Sequence, residues 1–151
     1  MNAGTTKSAM LPVLVVLVAV FPASAQTKAQ AQALFADYQA KERAFDASVA
    51  DLYCDTADIR NTRRYPDGNE RTLAFPAARY KALVRQAMPL ARARGDYGTY
   101  SDVRYAQEPG GMRITATRYS MAKRYSSPIS LLVGPCGGKV GILEELSRSQ
   151  P

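Results

Sequence analysis

The sequence predicts an α+β domain, with three helices in its first half packed on an antiparallel sheet of about six strands. Three observations carry this. Apolar residues recur at three- and four-residue steps before Gly95 and alternate after it. Turn-forming clusters cut the alternating part into four strands. An earlier cluster, Pro66-Asp67-Gly68-Asn69, places a hairpin between the second and third helices.

Ahead of the domain stands an export signal. It has a positive amino end with Lys7, an uncharged stretch over 10–21, and the small-residue ending Pro22-Ala23-Ser24-Ala25. Cleavage is expected between Ala25 and Gln26, so residues 1–25 are a signal peptide and 26–151 a single domain. The twelve-residue apolar run falls short of the ~20 a membrane-crossing helix needs. No cysteine follows it to accept lipid, and no twin arginine precedes it. The expected product carries no membrane anchor after cleavage and is periplasmic or secreted.

Over 28–43 the residues are helix formers, with Ala33, Leu34, Tyr38 and Ala40 or Lys41 on one side. Asp46 is an N-cap for a short second helix in which Val49, Leu52 and Tyr53 recur. A strand is expected over 57–65 and a returning one over 70–75. Pro76 then opens a third helix over 77–93, with Tyr80, Leu83, Val84, Ala87 and Leu90 or Ala91 on its apolar side and Pro89 expected to kink it. Four strands follow, over 97–107, 112–125, 129–134 and 139–146, with turns at 108–111, 126–128 and 135–138. Short turns between neighbours imply an antiparallel meander. The tail after Leu146 is expected to be disordered.

Without Lys7 the net charge falls from +7 to about +6, with the arginines spread along the chain. A solvated basic surface accounts for this, and nucleic acid is not an expected partner. The two cysteines, Cys54 and Cys136, make one disulfide a natural pairing in an exported protein, with two free buried thiols as the alternative. Closing that loop would contribute about 4 kcal/mol. Neither cysteine belongs to a C-x-x-C pair and histidine is absent, so nothing in the sequence points to a metal or another cofactor.

Leu52-Tyr53 followed by Ala57-Asp58-Ile59, the stretch 113–119 (RITATRY) and the stretch 141–146 (GILEEL), set in this order of elements, resemble the nuclear transport factor two family. That family comprises SnoaL-like and ketosteroid isomerase-like proteins with a cystatin-like α+β cone. The resemblance covers nearly all of 29–146. It implies a curved sheet wrapped around helices, a conical pocket, and pairing into homodimers through the open sheet face. Enzymes of the family place a carboxylate in the cone, often with His or Tyr partners. With His absent, Asp55 or Asp58 remain as bases and Tyr38 as a donor; both aspartates also suit helix-exit and turn positions.

The polar residues expected to line the cone are Tyr53, Tyr80, Tyr100, Arg118 and Glu144. Strand alternation allows Arg118 or Tyr119 to point inward, not both. An inward Arg118 needs a buried carboxylate, for which Glu144 is the obvious choice, or an anionic ligand; the alternative is a structural ion pair. Arg60, Arg63, Arg64 and Arg71 form a basic cluster on the early hairpin, either a ribbon for an acidic polymer or a charge-defended edge. The first functional reading is a non-catalytic protein of the cell envelope that binds a small apolar or anionic ligand or serves an accessory role. The alternatives are an isomerase- or dehydratase-like enzyme with Asp58 as base and Tyr38 or Tyr53 as donor, and a basic module for an anionic envelope polymer.

Overall fold

The structure, a computed structural model, describes Met1 and residues 27–151. The export signal and its cleavage point at Ala25 and Gln26 lie outside the described residues.

Helix α1 (Lys28–Ala44) starts at a capping box, in which Thr27 and Gln30 satisfy each other's backbone donors. It buries Ala31, Leu34, Phe35 and Tyr38; of the predicted side, Leu34 and Tyr38 are buried and Lys41 is partly so, whereas Ala33 and Ala40 are exposed. Phe45, at φ 55°, ends it in the left-handed region. Asp46 then caps a short 3-10 helix, Ala47–Leu52, by accepting from the Ser48 N–H at 2.8 Å. Strand β1 (Tyr53–Arg64) begins four residues earlier than predicted, so Tyr53 is a strand residue and not a helical one. β2 (Glu70–Phe75) returns from it in register, and α2 (Ala77–Arg94) runs on through Pro89. Leu83 and Leu90 on α2 are exposed; Tyr80, Val84 and Met88 pack against the core.

The second half is β3 (Gly98–Glu108), β4 (Gly111–Ser120), β5 (Tyr125–Cys136) and β6 (Lys139–Ser149). Two expectations fail here for local reasons. The β4–β5 turn falls at residues 121–124, where Arg124 takes φ 58° without any Gly or Pro to signal it, and Ser126-Ser127-Pro128 belongs to the strand. The tail is ordered to Ser149 because β1 continues to pair with it, Arg63 opposite Ser149.

The six strands lie in the order β2-β1-β6-β5-β4-β3. Every turn-linked pair is antiparallel, but β1 and β6 run parallel, so the sheet is mixed. A tight turn dictates an antiparallel neighbour, and these two strands are joined by most of the chain instead. Cys54 and Cys136 are bonded, with Cα atoms 5.8 Å apart, tying the start of β1 to the end of β5. Helices cover one face of the sheet, where Phe35, Tyr53, Ile59, Ile114, Leu131 and Ile142 form the core. No helix among the described residues is long and apolar enough to cross a membrane.

Candidate functional site

A cavity of about 220 Å³ opens between the helices and the covered face of the sheet. Glu145 of β6 lies in its wall, 4% exposed. It accepts a hydrogen bond from the Tyr53 hydroxyl of β1 and another, at 3.2 Å, from the Tyr80 hydroxyl of α2. Burial pushes its carboxyl above the usual glutamate range, while hydrogen bonds from Tyr53, Ser147 and Tyr80 pull the other way. Burial and the adjacent carboxylate hold the Tyr53 and Tyr80 phenols far above their ordinary value, so both remain protonated donors.

A β-bulge puts Glu145 there. In the β5–β6 ladder Val133 faces Ile142 and Leu132 faces Glu144, which leaves Leu143 as an extra residue. Strict alternation from the buried Ile142 would turn Glu144 inward. The extra residue shifts the pattern by one, so Glu145 turns inward and Glu144 outward.

A second polar group closes the cavity toward β4. Arg118 places Nε and Nη2 on Oε1 of Glu42, at 3.2 and 2.6 Å, and the Tyr100 hydroxyl donates to the other oxygen. Burial opposes the charge on Arg118, but Glu42 outweighs it and raises the guanidinium pKa. The Tyr100 phenol is raised by burial and then by Glu42. Its ring packs edge-on to Phe35 and Tyr38, 5.3 and 6.1 Å between centroids. Gly98 on the neighbouring strand makes room for the pair, since a Cβ there would sit 2.7 Å from Arg118 Nε and 3.1 Å from a Glu42 oxygen. Gly98→Ala is therefore expected to destabilise the fold by about 1–3 kcal/mol in urea unfolding, and an unchanged midpoint would mean the pair moves aside freely.

Val49, Val84, Met88 and Ile129 supply the apolar part of the lining, and Asn61, Ser127, Ser147 and Ser149 a polar rim. The rim is internally bonded: the Asn61 side chain donates to Ser147 Oγ at 3.0 Å and accepts from Ser149 Oγ at 2.7 Å.

Of the residues expected in the pocket, Tyr38, Tyr53, Tyr80 and Arg118 line it. Tyr100 reaches it through Glu42. Arg118 is the inward member of its pair with Tyr119, but its carboxylate is Glu42 on α1, not Glu144. Glu144 lies on the opposite face of the sheet, bound to Arg113 at 2.6 Å. Asp58 does not line the cavity either; it pairs with Arg60 at 2.6 Å, with about half of its side chain exposed. Asp55 is 95% exposed beside Lys81, whose ammonium holds its carboxyl below the usual range. Sequence reasoning missed Glu42 and Glu145. Glu42 had a legible signal, because it extends the buried series Ala31, Phe35, Tyr38 by one more helical step; Glu145 had none, since a bulge leaves no mark in apolar periodicity. Among the described residues no group of three Cys, Asp or Glu side chains is placed to hold a metal ion.

No protein-family profile matches the chain, and no curated sequence does. Solved structures do. An NTF2-like protein of unknown function from Pseudomonas putida superposes with a TM-score of 0.65 at 8% identity, over 81% of this chain and 85% of that one. An NTF2-like protein with a cystatin-like fold from Novosphingobium aromaticivorans gives 0.54 at 12% identity, over 80% of both chains. A provisionally named scytalone dehydratase from the same organism gives 0.53 at 11% identity, over 80% and 81%. At such identities the likeness speaks of architecture alone. The chain has the NTF2-like, cystatin-like α+β cone fold.

Proposed function

We propose that this chain is an exported cell-envelope protein that holds a small molecule in the cone. The observation that carries the reading is Glu145, a carboxylate kept in the wall of a cavity with two phenol donors where an apolar side chain would pack at lower cost. A cavity of about 220 Å³ is below the ~300–1,000 Å³ of drug-sized sites, so the ligand is small. Tyrosine hydroxyls and the carboxyl suit a hydroxyl or carbonyl group, and Val49, Val84 and Met88 suit an apolar body. Export is supported by the amino-terminal signal and by the disulfide. Native mass spectrometry of the protein purified from the envelope fraction is expected to show a retained small molecule that the Glu145→Leu variant loses. An empty cavity in the purified protein, together with no small-molecule stabilisation across a chemical panel, would sink the reading.

A second reading, acid–base catalysis, is favoured by the direction of the Glu145 shift, which brings a carboxylic acid toward neutral-pH proton exchange beside a phenol. The likeness to the protein provisionally named scytalone dehydratase adds support at the level of fold. In this reading Glu145 replaces Asp58 as the base. Any turnover found for the protein should fall at least ~100-fold in Glu145→Gln and persist in Asp58→Asn.

A further inference from the structure

The β5–β6 ladder stops short of the ends of both strands. Its last pair at one end is Ile129 with Ser147, yet β5 begins at Tyr125 and β6 runs on to Ser149. Over 125–128 β5 stays paired with β4, and over 147–149 β6 stays paired with β1, so the sheet splits between its two middle strands. Pro128 stands at the split, where a residue without an N–H cannot continue the ladder. A cavity of about 150 Å³ occupies the gap, lined by Arg64 and Arg148 and by the hydroxyl-bearing Ser126, Ser127 and Ser149. Ser127, Pro128, Arg148 and Ser149 also line the main cavity, so the two spaces share a wall.

The charge around this gap is unbalanced. Arg63 faces Ser149 on one side and Arg71 on the other. Like charges on residues opposite in register repel, and among the described residues neither has a carboxylate within 4.0 Å; the Arg63 guanidinium lies over the Tyr65 ring, 5.9 Å from its centroid, which leaves its charge in place. Nε of Arg63 is buried without a hydrogen-bond partner, a rare condition in a folded chain. Edge defence accounts for Arg71, on the outermost strand, but not for Arg63 one strand further in. Arg148 spends Nη1 on the half-exposed Glu70 at 3.1 Å, a surface pair that an incoming anion can exchange. Arg60 lies with Arg148 along the outer face of the sheet, but its charge is neutralised by Asp58 at 2.6 Å.

We infer that the split end of the sheet is an anion subsite, which takes the oxyanion group (a carboxylate, sulfate or phosphate) of a small organic acid whose body fills the main cavity. The Ser126 and Ser127 hydroxyls and the Arg148 and Arg64 guanidiniums donate to the oxyanion, and Arg63 and Arg71 add positive potential that no protein carboxylate cancels. The organic body rests on the proposed reading of the main cavity; the subsite itself does not.

Thermal unfolding of the purified protein, with sodium sulfate or sodium benzoate titrated at ionic strength held constant by sodium chloride, tests it. Sulfate reports the subsite alone and benzoate the subsite joined to the apolar cavity. Both are expected to raise Tm saturably in the low-millimolar range. Each variant is compared with its own anion-free Tm: Arg148→Gln, and Arg63→Gln combined with Arg71→Gln, should weaken the response to both anions at least tenfold, while Arg60→Gln keeps it. The Arg63/Arg71 double variant should also melt higher than the parent without anion, because a repulsion has been removed. No saturable shift with either anion, or a shift that survives in the Arg148 and Arg63/Arg71 variants, overturns the proposal. A sulfate response lost in those variants while no ligand is ever retained leaves the subsite standing and the cavity reading fallen. A retained ligand that is indifferent to Arg148, Arg63 and Arg71 means the reverse.

Discussion

Reducing the Cys54–Cys136 bridge, or replacing both cysteines with serine, is expected to lower stability by about 4 kcal/mol and Tm by on the order of 15 °C. The two residues are 82 apart in sequence, so the bridge removes a large loop-closure entropy from the unfolded chain. The folded side of the balance points the same way. β1 pairs with β6 at Tyr53 opposite Ile142, then not again until Asp58 opposite Glu144, so the stretch just past Cys54 is weakly held by the ladder. The bridge pins that stretch, and with it the hydroxyl that Tyr53 offers to Glu145. β6 passes close against the sulfur because residue 141 is glycine; a Cβ there would sit 2.8 Å from Cys54 Sγ. Urea unfolding with and without a reductant measures the effect, and an unchanged midpoint would show that the ladder alone holds β1.

The stability of the parent relative to Glu145→Gln is expected to fall as pH rises from about 4. Burial raises the Glu145 pKa in the folded state, so the native protein binds that proton more tightly than the unfolded chain does. A group shifted in this direction contributes fully below its unfolded value, about 4.3 for glutamate, and the contribution is lost as pH rises through the raised native value. One proton limits the slope to about 1.4 kcal/mol per pH unit. Glutamine cannot ionise, so differences in Tm between the two proteins across a pH series isolate this proton from all others. A difference that stays flat would mean that the hydrogen bonds to the carboxylate just offset burial, and one that grows with pH that they outweigh it.

Much of the architecture follows from local chemistry. Asp46 caps the helix it was expected to cap, and α2 opens just after Pro76. Gly137 and Gly138, both at positive φ, make the two-residue turn between β5 and β6. The cysteines were legible as a natural pair from their count and the export signal, with two free thiols as the alternative, and they are bonded. What failed were signals that resemble others. Ser126-Ser127-Pro128 has turn composition but lies in a strand, because Pro128 ends one ladder, to β6, while β5 stays paired with β4 on its other side. The tail after Leu146 looks like a free end, but it is paired because β1 is long enough to reach it.

The residues of the site divide along the same line. Tyr38, Tyr80 and Arg118 were readable because each sits on an element whose period the sequence displays; Tyr53 was read as helical and lines the cavity as the first residue of β1. Of the carboxylates that complete them, Glu42 left a helical step that went unread and Glu145 left no mark. Glu145 replaces Glu144 through one bulged residue at Leu143, and Glu42 meets Arg118 across 76 residues of chain. The basic cluster of the hairpin likewise reads as one patch in sequence, but alternation sends Arg60 to one face, paired with Asp58, and turns Arg63 toward the helix-covered side. The sequence by itself determined the elements, their order and the α+β class, and offered Cys54 and Cys136 as a pair, since each depends on neighbours within a few residues or on residue count. Only the tertiary structure decided the parallel β1–β6 pairing, the inward carboxylates and the split beside Pro128, because strand direction, ladder register and ion-pair choice are set by contacts between segments whose separation in sequence carries no record of them.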